Sequence, residues 1–231
     1  MKSRKILTFS YDDGVRQDIR LAELFRKYGM KATFNVNSAL LGREGSLVRE
    51  GVTVRHDKVS AEELCSIYEG HEIAAHTLTH PLLTKLSDED IVREVEGDRL
   101  RLSELCGYEV QGFAYPGGEP NYDERVVRVV RERTGVRYAR TTVCNHAFLP
   151  QQDLYEFHPT VYHHAEFDDL FTLGRQFLDS VAEGKQIMYV WGHAYEFDIH
   201  NTWDRFEKFL AMMAGRSDIE YLTNREALLD D

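Results

Sequence analysis

Along the chain, short apolar runs alternate with longer stretches in which apolar residues recur every three or four positions. The runs at Ile6–Phe9, Ala32–Asn35, Glu72–Ala75, Val110–Ala114, Val136–Arg140 and Ile187–Val190 predict strands. The periodic stretches at Arg16–Tyr28, Ala61–Gly70, Asp88–Leu105, Asp123–Arg133, Phe167–Glu183 and Asn201–Gly215 predict helices. Start signals support several of them. Ser60 precedes A-E-E, Ser87 precedes D-E-D, and Asn201-Thr202 precede W-D-R-F-E-K-F-L, each able to accept from the free N–H groups of a first helical turn. Gly29, Gly70, Gly107 and Gly184 stand just past predicted helices, where a left-handed stop favours glycine. Strand then helix recurs about six times, and Glu220–Leu222 offers one more short strand. Such alternation predicts a parallel α/β sheet, doubly wound or closed into a barrel. Thr142–His164, rich in histidine and aromatics but without periodicity, predicts a long functional loop with a short strand or two.

No repeat, low-complexity tract or Pro/Ser-rich linker divides the 231 residues, so one domain over residues 1–231 is expected. The 39 Asp+Glu against 28 Lys+Arg give a net charge of −11, which argues against nucleic acid or an anionic membrane surface as partner. After the basic start MKSRK, only about four apolar residues follow, short of a secretory signal. No apolar window approaches the roughly 20 residues of a membrane span. A cytoplasmic protein is the expectation. Cys65, Cys106 and Cys144 are odd in number and form no C-x-x-C pair, so reduced thiols are expected rather than a disulfide framework or structural zinc site.

Four polar clusters follow predicted strands. Asp12 and Asp13 end T-F-S-Y-D-D-G; taken alone, such aspartates are ordinary helix caps. His76 and His80, in H-T-L-T-H, place two imidazoles four residues apart, able to converge on a divalent metal. F-A-Y-P-G-G, residues 113–118, is ordinary turn chemistry by itself. V-W-G-H ends in His193 and runs into Tyr195-Glu196-Phe197-Asp198. Parallel α/β folds bind ligands at the carboxyl ends of their strands, so the four clusters should share a pocket. One carboxylate with two imidazoles leaves a coordination position open, as in hydrolytic rather than structural zinc sites, and the second carboxylate is then free to act as a base.

In motif order the chain resembles the polysaccharide deacetylases with a NodB homology domain, the carbohydrate esterase family 4 group. TFSYDDG, HTLTH, FAYPGG and VWGH each resemble one of that family's motifs. The resemblance implies a distorted (β/α) barrel of about seven parallel strands. It makes Asp12 the general base, Asp13, His76 and His80 the ligands of a divalent metal, and His193 the general acid. Zinc suits that donor set best, with Co, Ni, Mn or Fe as alternatives. The implied reaction removes an N-acetyl group from an amino sugar, oligosaccharide or glycoconjugate.

Two departures stand out. Where the family has an arginine that orients the catalytic aspartate, this chain has Phe113, and Arg140 in Y-A-R-T-T is the proposed substitute. Pro116 has no N–H, so the oxyanion donor falls to the backbone of Tyr115 or Gly117. The carboxylate that tunes His193 is sought at Asp153 or Asp198. His146, His158, His163 and His164 are weaker candidates for substrate contact, His56, His71 and His200 are read as structural, and Trp191 and Tyr195 are candidates for a sugar subsite, with a core position equally open to Trp191 inside its strand. Two rival functions remain: hydrolysis of a cyclic or small linear amide on the same fold, as in allantoinase-like and cyclic imide hydrolases, and a catalytically silent, metal-containing glycan-binding barrel.

Overall fold

The computed structural model describes residues 4–164, 167–181 and 184–229; the first three residues of the basic start and the predicted helix end at Glu183 lie outside them. The elements run β1 (Arg4–Asp12), α1 (Asp18–Lys27), β2 (Thr33–Val36), β3 (Ser46–Arg49), β4 (Val52–Arg55), α2 (Leu64–Ile67) and β5 (Glu72–Ala75). They continue α3 (Asp88–Cys106), β6 (Gly112–Ala114), α4 (Glu124–Arg133), β7 (Tyr138–Arg140), β8 (Val161–Tyr162), α5 (Phe167–Asp179) and β9 (Lys185–Gly192). The last are α6 (Glu196–His200), α7 (Trp203–Met213), β10 (Ile219–Tyr221) and α8 (Asn224–Leu229).

A curled parallel sheet carries the fold, in the order β7-β6-β5-β2-β1-β9-β8. Beside β1, β10 pairs over Lys5–Leu7 and β2 takes over at Ser10–Asp12. A parallel bridge between Arg140 and Phe157 ties the segment entering β8 back to β7, which gives the distorted barrel expected from the sequence. Strand β1 lies at the centre and is buried along nearly its whole length, as a strand covered on both faces must be. Phe9, Phe25, Phe34 and Phe206 pack over it, with the Phe9 and Phe25 ring centroids 4.7 Å apart.

Capping side chains stand at several helix starts, among them the predicted Ser60, which accepts from the Glu63 N–H at 3.3 Å ahead of the short α2. Ser87 accepts from the Asp90 N–H at 3.2 Å, Asp123 from that of Val126 at 2.8 Å, and Gly107 stops α3 at φ +72. Other boundaries differ. The helix expected at Ala61–Gly70 shrinks to one turn, and the one expected at Asn201–Gly215 starts at Trp203, because Asn201 is left-handed at φ +50 and ends the short α6. The hairpin β3–β4, turning at Glu50-Gly51, was not anticipated; its exposed Val48 and Val52 carry too little alternation to mark it.

Candidate active site

Strand register brings the polar clusters to one end of the sheet. Asp12 pairs with Asn35, Tyr11 with Gly192, and Ala75 with both Val36 and Phe113. The residues just beyond these strand ends therefore face one another. They line a cleft of about 370 Å³ that includes Asp12, Asp13, His76, His80, His193 and Trp191.

On one wall, Asp13, His76 and His80 bring ligand atoms within 4.8 Å of one another. His76 Nε2 lies 4.0 Å and His80 Nε2 3.6 Å from Asp13 Oδ1. His76 donates from Nδ1 to the Ala114 carbonyl at 2.8 Å, which fixes its tautomer and leaves Nε2 as a buried lone pair with no protein partner. Burial pushes His76 down to about 4 and lowers His80, so both are neutral imidazoles, the ligand form. Asp13 divides its oxygens: Oδ2 meets His56 Nε2 at 3.1 Å, while Oδ1 faces the two imidazoles. Burial would raise the Asp13 pKa, but Lys58 and His56, with His193 and His80, hold it well below the usual carboxylate range. The orphaned His76 Nε2 and this N₂O donor set fit a divalent metal.

The two loops that present the three donors are strained, and the one carrying the imidazoles is over-determined. Asp13, Thr77 and His80 have φ of +82, +70 and +63, unusual for residues with a Cβ and most of all for β-branched threonine. Asn37 donates to the carbonyls of His76 and Thr77 at 2.5 and 3.0 Å, and Asp98 accepts the N–H groups of His76 and Ser38 at 2.8 and 2.7 Å.

Asp12 sits between the walls. Its Oδ1 accepts from Asn35 at 2.7 Å and its Oδ2 from Arg140 at 2.5 Å. Oδ2 also lies 3.9 Å from His76 Nε2 and 4.0 Å from His193 Nε2. Burial opposes its charge, yet Arg140, His76 and His193 together lower its pKa, so it stays a carboxylate. Arg140 is fully buried, with its guanidinium 4.4 Å from the Trp191 ring centroid. The cation sought in place of the Phe113 position is thus in contact with Asp12.

On the other wall, the carboxylate next to His193 is Glu196, from the first turn of α6. Its Oε1 is 3.4 Å from His193 Nδ1, and its Oε2 accepts the His193 N–H at 3.2 Å and meets His163 Nε2 at 2.9 Å. Tyr162 donates to it as well, and His163 Nδ1 meets Tyr11 Oη at 3.0 Å. Gly192 is required here, because a Cβ would lie 2.3 Å from the His163 ring. Burial alone would lower the His193 pKa; Glu196, with smaller help from Asp13 and Asp12, instead raises it to about 9.

Several sequence expectations need correction. Asp153 pairs with Arg131 on the surface, and Asp198 accepts from Gln17 and Trp203, so neither reaches His193. The Tyr115 N–H is not free for an oxyanion: it donates to the Arg140 carbonyl at 3.1 Å, and the Tyr115 hydroxyl donates to the Tyr155 carbonyl. Gly117, at φ +82, lines the cleft instead. His56, read as structural, touches Asp13. His163, grouped with loop histidines, is fully buried beneath Glu196. The i, i+3 spacing of His193 and Glu196 was the available signal, since neighbours at that spacing meet in a helical turn. His146 is exposed, and His158 Nδ1 bonds to Thr141 Oγ1 at 2.7 Å.

Fold and cleft together define a NodB-type α/β barrel with a candidate metal centre at the carboxyl ends of its strands. The sequence model for polysaccharide deacetylases matches residues 1–139, and the chain belongs to that family. No curated protein matches the chain. Solved structures match it at low identity. The Xyl-CE4 domain of a multidomain xylanase from the hindgut metagenome of Trinervitermes trinervoides is 15% identical, over 97% of this chain and 89% of that one, with a TM-score of 0.59. A family 4 acetyl xylan esterase from Clostridium thermocellum, solved with a cobalt ion, is 16% identical over 97% and 91%, with a TM-score of 0.57. A CE4 family pseudoenzyme from Bacillus anthracis is 16% identical over 98% and 66%, with a TM-score of 0.56. These likenesses are of fold. The chain spans only 55% and 40% of the lengths of two other deacetylase structures, from Streptococcus pyogenes and Bacillus cereus. Among the described residues, no helix is long and apolar enough to cross a membrane.

Proposed function

We propose that this chain, as a single domain, is a divalent-metal-dependent hydrolase that removes the acetyl group from an N-acetylated amino sugar or a glycoconjugate carrying one. The observation that carries this reading is the meeting of an Asp-His-His donor set, a charged Asp12 and a cationic His193 in one cleft. Asp13, His76 and His80 would hold the ion, with zinc suited to their donors. Bound there, a divalent ion supplies Lewis acidity, activating water and polarising a carbonyl oxygen.

The chain's own groups supply the proton transfers. Asp12, held as a carboxylate by Arg140 and Asn35, accepts the proton of the attacking water. Charge develops on the acetyl oxygen, and the backbone of the Gly117 turn, which lines the cleft, is the remaining candidate to donate to it. His193, protonated through Glu196, gives its proton to the departing nitrogen. An amine leaves poorly unless protonated, whereas an alcohol or phenol leaves more readily; the proton of His193 therefore matters more for an amide than for an ester. Arg140 keeps Asp12 aimed and charged while its own guanidinium is covered by Trp191.

The test is acetate release from N-acetylglucosamine oligosaccharides, alongside release of product from cyclic imides, using protein stripped by chelation and reloaded with zinc, cobalt or manganese. Acetate release that vanishes on stripping and returns near one equivalent of metal is expected. Ring opening without acetate release would move the chain to the cyclic amide hydrolases, and silence on every substrate at full metal loading would make it a binding barrel.

A further inference from the structure

The hairpin β3–β4 pairs only with itself and lies against α6, beside the acid wall of the cleft. Its first strand ends in Arg49, which lines the cleft and donates from Nη2 to Tyr195 Oη at 3.5 Å. The cations that touch the cleft's carboxylates are committed. Arg140 lies 2.5 Å from Asp12, Lys58 3.6 Å from Asp13, and His193 3.4 Å from Glu196. Among the described residues, Arg49 has no carboxylate within ion-pair distance. Its neighbour Glu50 turns away, toward His164 Nε2 at 3.8 Å and His200 Nδ1 at 3.9 Å. Glu119, in the turn after β6, also lines the cleft but, among the described residues, makes no ion pair with Arg49.

In a chain of net charge −11, an uncommitted guanidinium at the mouth of a catalytic cleft is informative. Guanidinium presents a planar fork of donors that matches carboxylate and phosphate oxygens. Tyr195 accepts from Arg49, which leaves its own O–H to donate to the same anion. The Tyr195 ring lies 5.1 Å, centroid to centroid, from both His56 and His193, so the pair adjoins the reacting groups.

We infer that Arg49 and Tyr195 form an anion subsite, and that the substrate is an acetylated sugar carrying a carboxylate or phosphate close to its acetamido group. The inference rests on the hydrolase reading for the acetamido group; the recognition of an anion stands on Arg49 and Tyr195 themselves. It is tested with three probes on the zinc-loaded protein: di-N-acetylchitobiose as the neutral one, N-acetylmuramic acid for a carboxylate, and N-acetylglucosamine 1-phosphate for a phosphate. At low salt, one charged probe should exceed the neutral one in kcat/KM by roughly 10- to 100-fold, the size of a charge-assisted hydrogen bond, and the better of the two identifies the anion. Arg49→Gln should cut that ratio about tenfold or more, Arg49→Lys should keep part of it, and Tyr195→Phe should lower it several-fold. Added salt should shrink the ratio in the wild type and not in Arg49→Gln.

A charged-to-neutral ratio that is the same in wild type and Arg49→Gln would overturn the inference while leaving the hydrolase reading intact. If no probe releases acetate, the hydrolase reading fails first, and calorimetry still decides the subsite. Tighter binding of a charged probe to wild type than to Arg49→Gln supports it, and equal binding overturns it.

Discussion

Two imidazoles, His76 fully buried and His193 mostly so, face the same carboxylate from opposite walls of the cleft, at 3.9 Å and 4.0 Å from Asp12 Oδ2. Burial lowers both. Yet His76 lies at about 4 and His193 at about 9. The difference is what stands behind each ring. A neutral carbonyl, that of Ala114, holds His76 Nδ1, whereas the Glu196 carboxylate stands behind His193 Nδ1. A carbonyl fixes a tautomer at little electrostatic gain; an ionised carboxylate stabilises an imidazolium strongly enough to outweigh desolvation. The same side chain is thus held neutral on one wall and cationic on the other, which is what the proposed function asks of a metal ligand and of a proton donor.

The harshest break of this contrast falls on the ligand wall. His76→Ala or His80→Ala should lose metal and activity together, with activity falling to that of stripped wild type; elemental analysis after dialysis, paired with acetate release, checks it. Full metal occupancy at unchanged affinity in either variant would show that the donor set is wrong.

Asp12→Asn tests the group between the walls. It should retain the metal while kcat falls by roughly 10²–10⁴-fold, the range for acid–base residues. A rate within a few-fold of wild type, with metal bound, would remove Asp12 from the proton transfers.

Converting the acid wall into a copy of the ligand wall requires only Glu196→Gln. On the proposed mechanism the acid form of His193 is the active one, so activity should fall as pH rises through its pKa. In the wild type that alkaline limb should lie above the ordinary imidazole value of about 6.5, toward the value of about 9 that Glu196 sets; a bound cation offsets the charge of Asp13 but not that of Glu196. Without Glu196, burial pulls the limb down toward or below about 6.5. Amide turnover at neutral pH should drop by roughly 10- to 100-fold, and hydrolysis of an activated aryl acetate, whose leaving group needs no proton, should drop far less. An unmoved limb in the pH profile would exclude Glu196 as its cause.

The mildest change lies beneath the ligand wall. Asp98→Ala leaves the Ser38 N–H without its acceptor and the His76 N–H with only the Val36 carbonyl at 3.2 Å. It should cost about 1–3 kcal/mol in denaturant unfolding and roughly 10- to 100-fold in metal affinity, with kcat at saturating metal little changed. Unaltered metal affinity would separate Asp98 from the site.

How much of this was legible depended on sequence distance and on strand register. Asp12, Asp13, His76, His80 and His193 each follow an apolar strand, and a parallel sheet necessarily gathers such positions at one end, so their meeting could be argued from the pattern alone. Arg140 could be named because it too ends a predicted strand. The partners that set charge were harder. Glu196 stood three residues from His193 and was passed over for Asp153 and Asp198, since the short α6 that brings it back was not anticipated. His163 depends on the two-residue β8, too short for periodicity to show. Arg49 depends on a hairpin outside the main sheet, and neither strand of it is apolar enough to be seen. The Tyr115 N–H was misjudged because β6 and β7 extend their pairing one residue beyond the strand end, and only coordinates show which backbone donors a sheet consumes.

The opposed charge states can be read directly by NMR titration of the zinc-loaded protein with isotope-labelled histidine, the His76 and His193 signals being assigned by His76→Gln and His193→Gln. The account predicts that His193 remains an imidazolium at neutral pH and loses its proton only on the alkaline side, that His76 stays neutral with its proton on Nδ1 throughout, and that Glu196→Gln makes His193 neutral. A neutral His193 at neutral pH in the wild type, or an imidazolium that survives Glu196→Gln unchanged, would contradict it.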